Sequence, residues 1–334
     1  MVDYSIATQA IRREPLRVAK RSREVVARFG VMPVFLVVLG VIAGIAPTMV
    51  DPDNVTQVLR QSSMVGVMAL GATFVMVAGR IDLSIGSLLS LLSYVAITLH
   101  ESVGPGTATL AVIAVGGIVG LVNGGIVGYL RLNPLIATLA MMSLLQGLTL
   151  VYSGGANVYV AQADGTWFTI FGRGYLIGLP VPVLIFAALA IVLGIALHAT
   201  PFGRKIYAVG GNEVASAYSG VNVPKTVAMA YLIGGLTTSV AALIIASRVM
   251  GAQANTGDGY QFSVISAVVL GGTSFLGGSG TMVGTLVGVI LLAFMRNGLL
   301  LLGLPYYAQW LVTWAVIITA VWVEVAAKRT RVFL

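Results

Sequence analysis

The feature that most constrains this chain is its supply of apolar stretches. Ten runs of about bilayer-crossing length follow one another, covering residues 32–50, 55–78, 84–99, 107–129, 134–152, 179–199, 226–248, 260–276, 281–302 and 306–325. A helix rises about 1.5 Å per residue, so about 20 apolar residues cross a hydrocarbon core ~30 Å thick. Inside that core every backbone N–H and C=O must bond within the protein, which a helix achieves by itself. Charge points the same way. Charged residues make up 9% of the 334, against roughly 25% in a soluble domain, too few to clothe a folded surface in water. The expected fold is all-α and polytopic, with about ten transmembrane helices. Several connections are turn chemistry, as at Asp51-Pro52-Asp53-Asn54 and Gly104-Pro105-Gly106. Asn133 before Pro134 reads as an N-cap followed by a first-turn proline.

Lysine and arginine orient the runs, because loops rich in them stay in the cytoplasm. One set of loops holds the cluster Arg12, Arg13, Arg17, Lys20, Arg21, Arg23 and Arg28, then Arg131, Arg204, Lys205 and Lys225, and finally Lys328, Arg329 and Arg331. The alternate set holds Asp51, Asp53, Glu101, Asp164 and Asp258, with few basic residues beyond Arg173 and Arg248. An even number of spans with both termini cytoplasmic satisfies this asymmetry. The chain then divides into a basic cytoplasmic tail over 1–31, a single transmembrane domain over 32–327 and a cytoplasmic tail over 328–334. A cleaved signal peptide fits the start less well: the apolar run exceeds the usual ~7–15 residues and no A-x-A site closes it. The formal charge of +8 sits in short clusters between apolar runs, so no nucleic-acid partner is expected. The absence of cysteine excludes disulfides and thiolate metal sites.

Two connections are longer than a turn requires. Residues 153–178, on the acidic side, contain Gly154, Gly155, Asp164, Trp167, Gly172 and Gly174, and read either as a loose connector or as a docking or gating surface. Residues 200–225 lie on the basic side. There Gly210-Gly211 breaks the segment, Asn212 is placed to cap a short helix, Glu213 in its first turn suits the helix dipole, and Gly220 ends it. Such a helix, tethered at both ends to spans, presents Val214, Ala215, Ala217 and Tyr218. It either passes force from a soluble partner to two spans at once or lies passively on the membrane surface.

The wording of this segment is specific. Gly203, Arg204, Lys205, Ile206, Tyr207, Ala208, Val209, Gly210, Gly211, Asn212 and Glu213 run in succession, followed by Ala215 and by Ser219-Gly220-Val221. The stretch resembles the cytoplasmic coupling segment of the ribose/xylose-type permease family, the membrane subunits of bacterial ATP-binding-cassette (ABC) sugar importers. Three further stretches agree in order and spacing. Residues 79–87, Gly-Arg-Ile-Asp-Leu-Ser-Ile-Gly-Ser, resemble the family's G-G-I-D-L-S-V-G-S, and residues 133–139 resemble its N-P-F-I-A-T-L. Gly259-Tyr260, residues 268–274, Gly277-Gly278 and Gly284-Thr285 resemble its G-Y-E-L, V-V-I-G-G-T-S, G-G and G-T. The resemblance runs from about Asn54 to the end and leaves the basic tail outside. It implies a type II ABC importer-like fold in the bacterial inner membrane and a role in passing a sugar or sugar-like solute. It also implies partners: a cytoplasmic ABC ATPase that hydrolyses the ATP, a periplasmic solute-binding protein, and a second permease copy or homologous permease across the pathway. Coupling to the ATPase is implied for Gly203, Arg204, Tyr207, Gly210, Gly211, Asn212, Glu213, Ser219 and Gly220.

The candidate pathway groups are polar residues set among the apolar runs: Arg80, Asp82, Ser84, Asn123, Gln146 and Asn297. An ionised group at the bilayer centre costs roughly 3 kcal/mol. Residues 79–87 are therefore a turn at the cytoplasmic face, the preferred reading, or a helix break lining a wet cavity. Arg80 stands where the family has its second glycine, and either pairs with Asp82 or snorkels to the surface. For most other polar residues within spans, Arg296 and Gln309 among them, helix-to-helix hydrogen bonds are expected. His100 and His198 fall at span ends and read as interfacial rather than as metal ligands. The glycine-dense stretch 270–285 lacks the Lys-Ser or Lys-Thr of a phosphate loop and reads as a tight turn between packed spans. With no nucleotide signature, the chain is expected to bind no cofactor and to be no enzyme. It has no ladder of buried Asp, Glu or His, which favours a neutral solute and external energy. A branched-chain amino-acid type ABC permease shares the general plan and is one alternative; a stand-alone secondary carrier or channel is the other.

Overall fold

A computed structural model describes residues 32–160, residues 166–305, and scattered residues between 307 and 322. The described chain is helical almost throughout. Its long helices are α1 (Met32–Ile45), α2 (Pro52–Val77), α3 (Ile85–Val103), α4 (Pro105–Gly128) and α5 (Pro134–Ser153). After a four-residue α6 (Ile170–Arg173) come α7 (Val181–Ala199), the paired short helices α8 (Pro201–Gly211) and α9 (Glu213–Tyr218), α10 (Val223–Val249), α11 (Tyr260–Leu270) and α12 (Met282–Leu301). Proline in the first turn opens α2, α4, α5, α7, α8 and α10. It has no N–H to leave orphaned there, and its fixed φ suits the first turn.

Seven of these helices, α2, α3, α4, α5, α7, α10 and α12, are long and apolar enough to cross a membrane. They match seven of the ten expected runs. The run 32–50 is divided into α1 and a 3-10 turn at Pro47–Val50. The run 260–276 is corrected: α11 stops at Leu270 after 11 residues, about 16 Å, half a bilayer. It stops at Gly271 and Gly272, and the turns over 271–281 lead from there to α12. The basic tail 1–31, most of the run 306–325 with Gln309, and the tail 328–334 lie outside the described residues.

Burial sorts the spans into a centre and a rim. The most apolar window of α2 is 78% buried, whereas that of α7 is 22% buried. Water cannot be the solvent of α7, which shows Ile191, Val192 and Ile195 outward. At the centre α10 packs against α4 along glycines four residues apart. A Cβ on Gly120 would sit 2.6 Å from Tyr231 O, one on Gly124 2.5 Å from Ala228 Cα, and one on Gly128 2.7 Å from Pro224 O. Glycine brings the two backbones together where no hydrophobic effect separates lipid from leucine.

The described parts of this connection, 153–160 and 166–178, are not the loose connector that composition allows. Strand β1 (Val158–Tyr159) pairs antiparallel with β4 (Gly251–Ala252). Phe168 is fully buried, Ser247 Oγ donates to its carbonyl, and Gly172 N donates to Ser247 Oγ at 2.8 Å. A hairpin of β2 (Tyr175–Leu176) and β3 (Leu179–Pro180) follows, with Arg60 stacked 4.6 Å over the Tyr175 ring. His100, expected at an interface, is instead buried with its ring 5.1 Å from that of Phe168. The folded-down 166–172 stretch covers it, which no local pattern around His100 signals.

Candidate functional site

The segment that joins α7 to α10 is held by its own caps. Thr200 Oγ1 accepts from Gly203 N at 3.2 Å and starts α8. Asn212, in extended backbone at φ −158°, ends α8 and caps α9, its Oδ1 accepting from Ala215 N at 2.9 Å. Ser219 is the C-cap of α9, and Gly220 follows in the left-handed region at φ 80°. One expectation changes. Gly210-Gly211 does not break the segment, because α8 runs through both and the break falls at Asn212.

Gly210 has a different task, set by the turns beneath it. A Cβ at Gly210 would overlap the carbonyl of Val77, the last residue of α2, which already accepts from Gly278 N at 2.9 Å. A Cβ at Gly277 would lie 2.5 Å from Gly79 Cα, and one at Gly278 2.8 Å from Gly211 Cα. Gly79 and Gly277 also occupy the left-handed region, at φ 74° and 89°, where a side chain is strained. Three backbones thus touch at one junction: the α8–α9 segment, the stretch after α2 and the turn before α12.

Side chains fasten the same junction. Tyr207 Oη donates to Gly280 O at 2.6 Å and lies 3.3 Å from His198 Nδ1, while His198 Nε2 accepts from Met282 N at 3.2 Å. Burial pushes the Tyr207 phenol above its ordinary range, so it remains a protonated donor at neutral pH. Arg80 forms an ion pair with Glu213 of α9, the two side chains being 21% and 45% exposed. This corrects both readings of Arg80, since it neither pairs with Asp82 nor points free into the headgroups.

Asp82 is corrected as well. It is not on a surface turn but 7% exposed inside the bundle. Its Oδ1 accepts from Ser84 N at 2.9 Å and from Ser84 Oγ at 2.6 Å. Asn123 Nδ2 donates to the same Ser84 Oγ at 2.8 Å. Tyr231 Oη donates to Ile81 O at 2.8 Å, and Leu83 N to Thr138 Oγ1 at 3.2 Å. Tyr231 lies eight residues after Val223, about 12 Å along α10. Residues 79–84 therefore turn back into the bundle as extended chain before α3 begins. Such backbone is tolerated within a membrane protein only where protein or a wet cavity satisfies it, and here the Tyr231 and Thr138 hydroxyls and the Asp82 carboxylate do so. From the opposite end, residues 253–259 make a second inward loop: Gly257 N donates to Ser90 Oγ at 2.8 Å and Gln146 Nε2 to Ala254 O at 3.2 Å.

The expected residues separate into groups. Arg80 belongs with the coupling segment. Asp82, Ser84 and Asn123 form one buried cluster, and Gln146 braces the second loop. Asn297 lies near the far end, exchanging amide hydrogen bonds of 2.9 and 3.0 Å with Asn54 and lining a cavity of about 290 Å³ between α2, α11 and α12. Of the residues expected to couple to an ATPase, Gly203 is buried and Tyr207 and Gly210 are half-buried against the bundle, whereas Arg204, Gly211, Asn212, Glu213, Ser219 and Gly220 are exposed. Sequence reasoning missed Val77, His198, Tyr231 and Thr138. The glycine density of 270–285 was the one signal for the junction, and its partner is invisible locally.

The family described as "Branched-chain amino acid transport system / permease component" matches residues 54–321. The chain is 40% identical over 288 residues to the ribose import permease protein RbsC of Bacillus subtilis, covering 86% of this chain and 89% of that protein. It is 42% identical over 293 residues to the ribose import permease protein RbsC of Escherichia coli, covering 86% and 91%. Identity is 33% over 305 residues to the L-arabinose ABC transporter permease protein AraH of Azospirillum brasilense, covering 89% and 87%. No solved structure matches the chain.

Proposed function

Because this chain belongs to the family of branched-chain amino acid transport system permease components, a family of multi-pass membrane transport subunits, we propose that it is the permease subunit of an ABC importer and passes a sugar or sugar-like solute. The observation that carries this reading is the cargo named for its full-length relatives: ribose, L-arabinose and, at 31% identity, D-allose. The wider family description also names branched-chain amino acids, which keeps that cargo as the second reading.

The rest of the assembly follows from the same reading. The chain sits in the bacterial inner membrane with both termini cytoplasmic and ten crossings, the eighth made by the half-length α11 together with the turns 271–281, in a type II importer-like arrangement. Residues 32–327 form its single transmembrane domain between the tails 1–31 and 328–334. A cytoplasmic ABC ATPase hydrolyses the ATP and grips the exposed face of residues 200–225, while the permease holds no cofactor of its own. A periplasmic binding protein delivers the solute, and a second permease copy or a homologous permease completes the pathway. Asp82, Ser84, Asn123, Gln146 and Asn297 belong to that pathway or brace its walls. The junction supports the coupling role, since displacement of α8 moves the end of α2, the stretch 79–84 and the start of α12 together.

The test is uptake of radiolabelled D-ribose, L-arabinose, D-allose and leucine into proteoliposomes that hold the permease, its ATPase and its binding protein. ATP-dependent uptake of a sugar is expected. Uptake without ATP or partners would identify a secondary carrier instead, and uptake of leucine alone would move the cargo to amino acids.

A further inference from the structure

The cavity between α2, α11 and α12 lies at the end of the molecule opposite the coupling junction. It begins six residues into α2, whose other end, Val77, meets Gly210. Its volume of about 290 Å³ is at the small end of ligand pockets, roughly 300–1,000 Å³, and suits one small solute. Its mouth is open, with Gln61, Asp258 and Trp310 exposed. Deeper in, Arg296 projects from the apolar helix α12 and Nη2 donates to Ser263 Oγ at 2.8 Å. A guanidinium facing hydrocarbon is costly, and intramembrane cations accordingly face water-filled spaces. The cavity wall around Arg296 supplies such a space.

The lining matches one kind of chemistry. Arg296 brings donors, Asp258 acceptors, and the amides Gln61 and Asn297 both. The indole of Trp310 adds a flat apolar face. Donors and acceptors distributed around a small space beside an aromatic plate suit a neutral ring bearing several hydroxyls. We propose that this cavity is a solute-binding site of the permease itself, in which Arg296, Asp258, Gln61 and Asn297 hydrogen-bond a monosaccharide that packs against Trp310. The inference rests on the sugar-importer reading and adds to it: the permease holds the solute directly and discriminates among solutes.

The chain contains no cysteine, so a single one can report on the site. Ala293 lines the cavity. In membranes carrying Ala293→Cys, a membrane-impermeant thiol reagent applied to the face opposite the coupling segment is expected to modify the thiol. D-ribose or L-arabinose, whichever the importer takes up, at ten times its dissociation constant should slow modification about tenfold. Leucine should not. In an Arg296→Gln background the thiol should still react while protection needs about tenfold more sugar or is lost, a bond to a charged group having gone. Arg296→Lys keeps the charge, and protection surviving there separates a local loss from misfolding. A thiol that does not react overturns the open cavity. A thiol that reacts without protection by a sugar the intact importer carries overturns the binding site and leaves the importer reading standing. Protection and uptake by leucine alone overturn the sugar chemistry and the proposed cargo together.

Discussion

At Arg80 and Glu213 the physics is that of an exposed pair. Such pairs contribute about 0.2–1 kcal/mol and are screened by salt, so Arg80→Ala or Glu213→Gln should lower the melting temperature only slightly. The coupling should suffer more, because this pair ties α9 to the stretch leading into α3. The expected outcome is a clear fall in sugar carried per ATP hydrolysed, partly restored by the exchange Arg80→Glu with Glu213→Arg. Unchanged stoichiometry in all variants would remove the pair from the coupling route. Two adjacent glycines give a sharper contrast. Gly210→Ala pushes a methyl group into Val77 O, and overpacking of this kind costs about 1–3 kcal/mol. Gly211 has open space around its Cβ position, so Gly211→Ala should melt like the native protein. Thermal stability of the two variants, measured side by side, checks this. The Asp82 cluster obeys the same logic. Asp82→Asn keeps an oxygen to accept from Ser84, whereas Asp82→Ala strands two buried donors at about 1–3 kcal/mol. The alanine variant should therefore melt well below the asparagine one.

Between elements, the contact that holds the centre is α4 on α10. Its specificity lies in one glycine stripe and not in the glycine content of the helix. Gly124 meets the Ala228 backbone, while Gly125, the next residue, meets nothing within 4 Å. Gly124→Leu should force the helices apart and lower the yield of folded protein from the membrane. Gly125→Ala should leave both yield and melting temperature unchanged. Equal behaviour of the two would mean that the backbones are not held this closely. The second element-level contact is Tyr207 to Gly280, which links α8 to the turn before α12. His198 braces it from α7, so the coupling segment is fastened at several points rather than hinged at one.

On the scale of the whole molecule, the connections on either side of α7 carry two exposed residues, Ile177 in the β2–β3 turn and Tyr218 at the end of α9. Tyr218 and Ile177 are each 90% exposed. On the proposed topology, with both termini cytoplasmic, Tyr218→Cys should react with an impermeant reagent only from the cytoplasmic face, and Ile177→Cys only from the other. The same face for both would refute the assigned topology. The molecule has its interlocked junction near one end and its solute-sized cavity near the other, with α2 and α12 reaching both. Those two helices are the shortest physical connection between them.

What the sequence determined by itself was seven of the long apolar helices, the short helix that ends before Gly220, and much of their limits. Apolar length, first-turn prolines and the caps Asn133, Thr200 and Asn212 act over a few residues and can be read from a few residues. The same holds for the break between α8 and α9, misplaced by only a residue or two. Tertiary structure alone decided the depth of Asp82, the burial of His100, the half-length of α11 as a crossing element and the partner of Arg80, 133 residues away. Those properties depend on which helices stack and how deep a loop is drawn between them. Glycine shows the limit most plainly. Its lack of a side chain is local information, but whether that lack is used, as at Gly210, or idle, as at Gly211, depends on a backbone elsewhere in the chain.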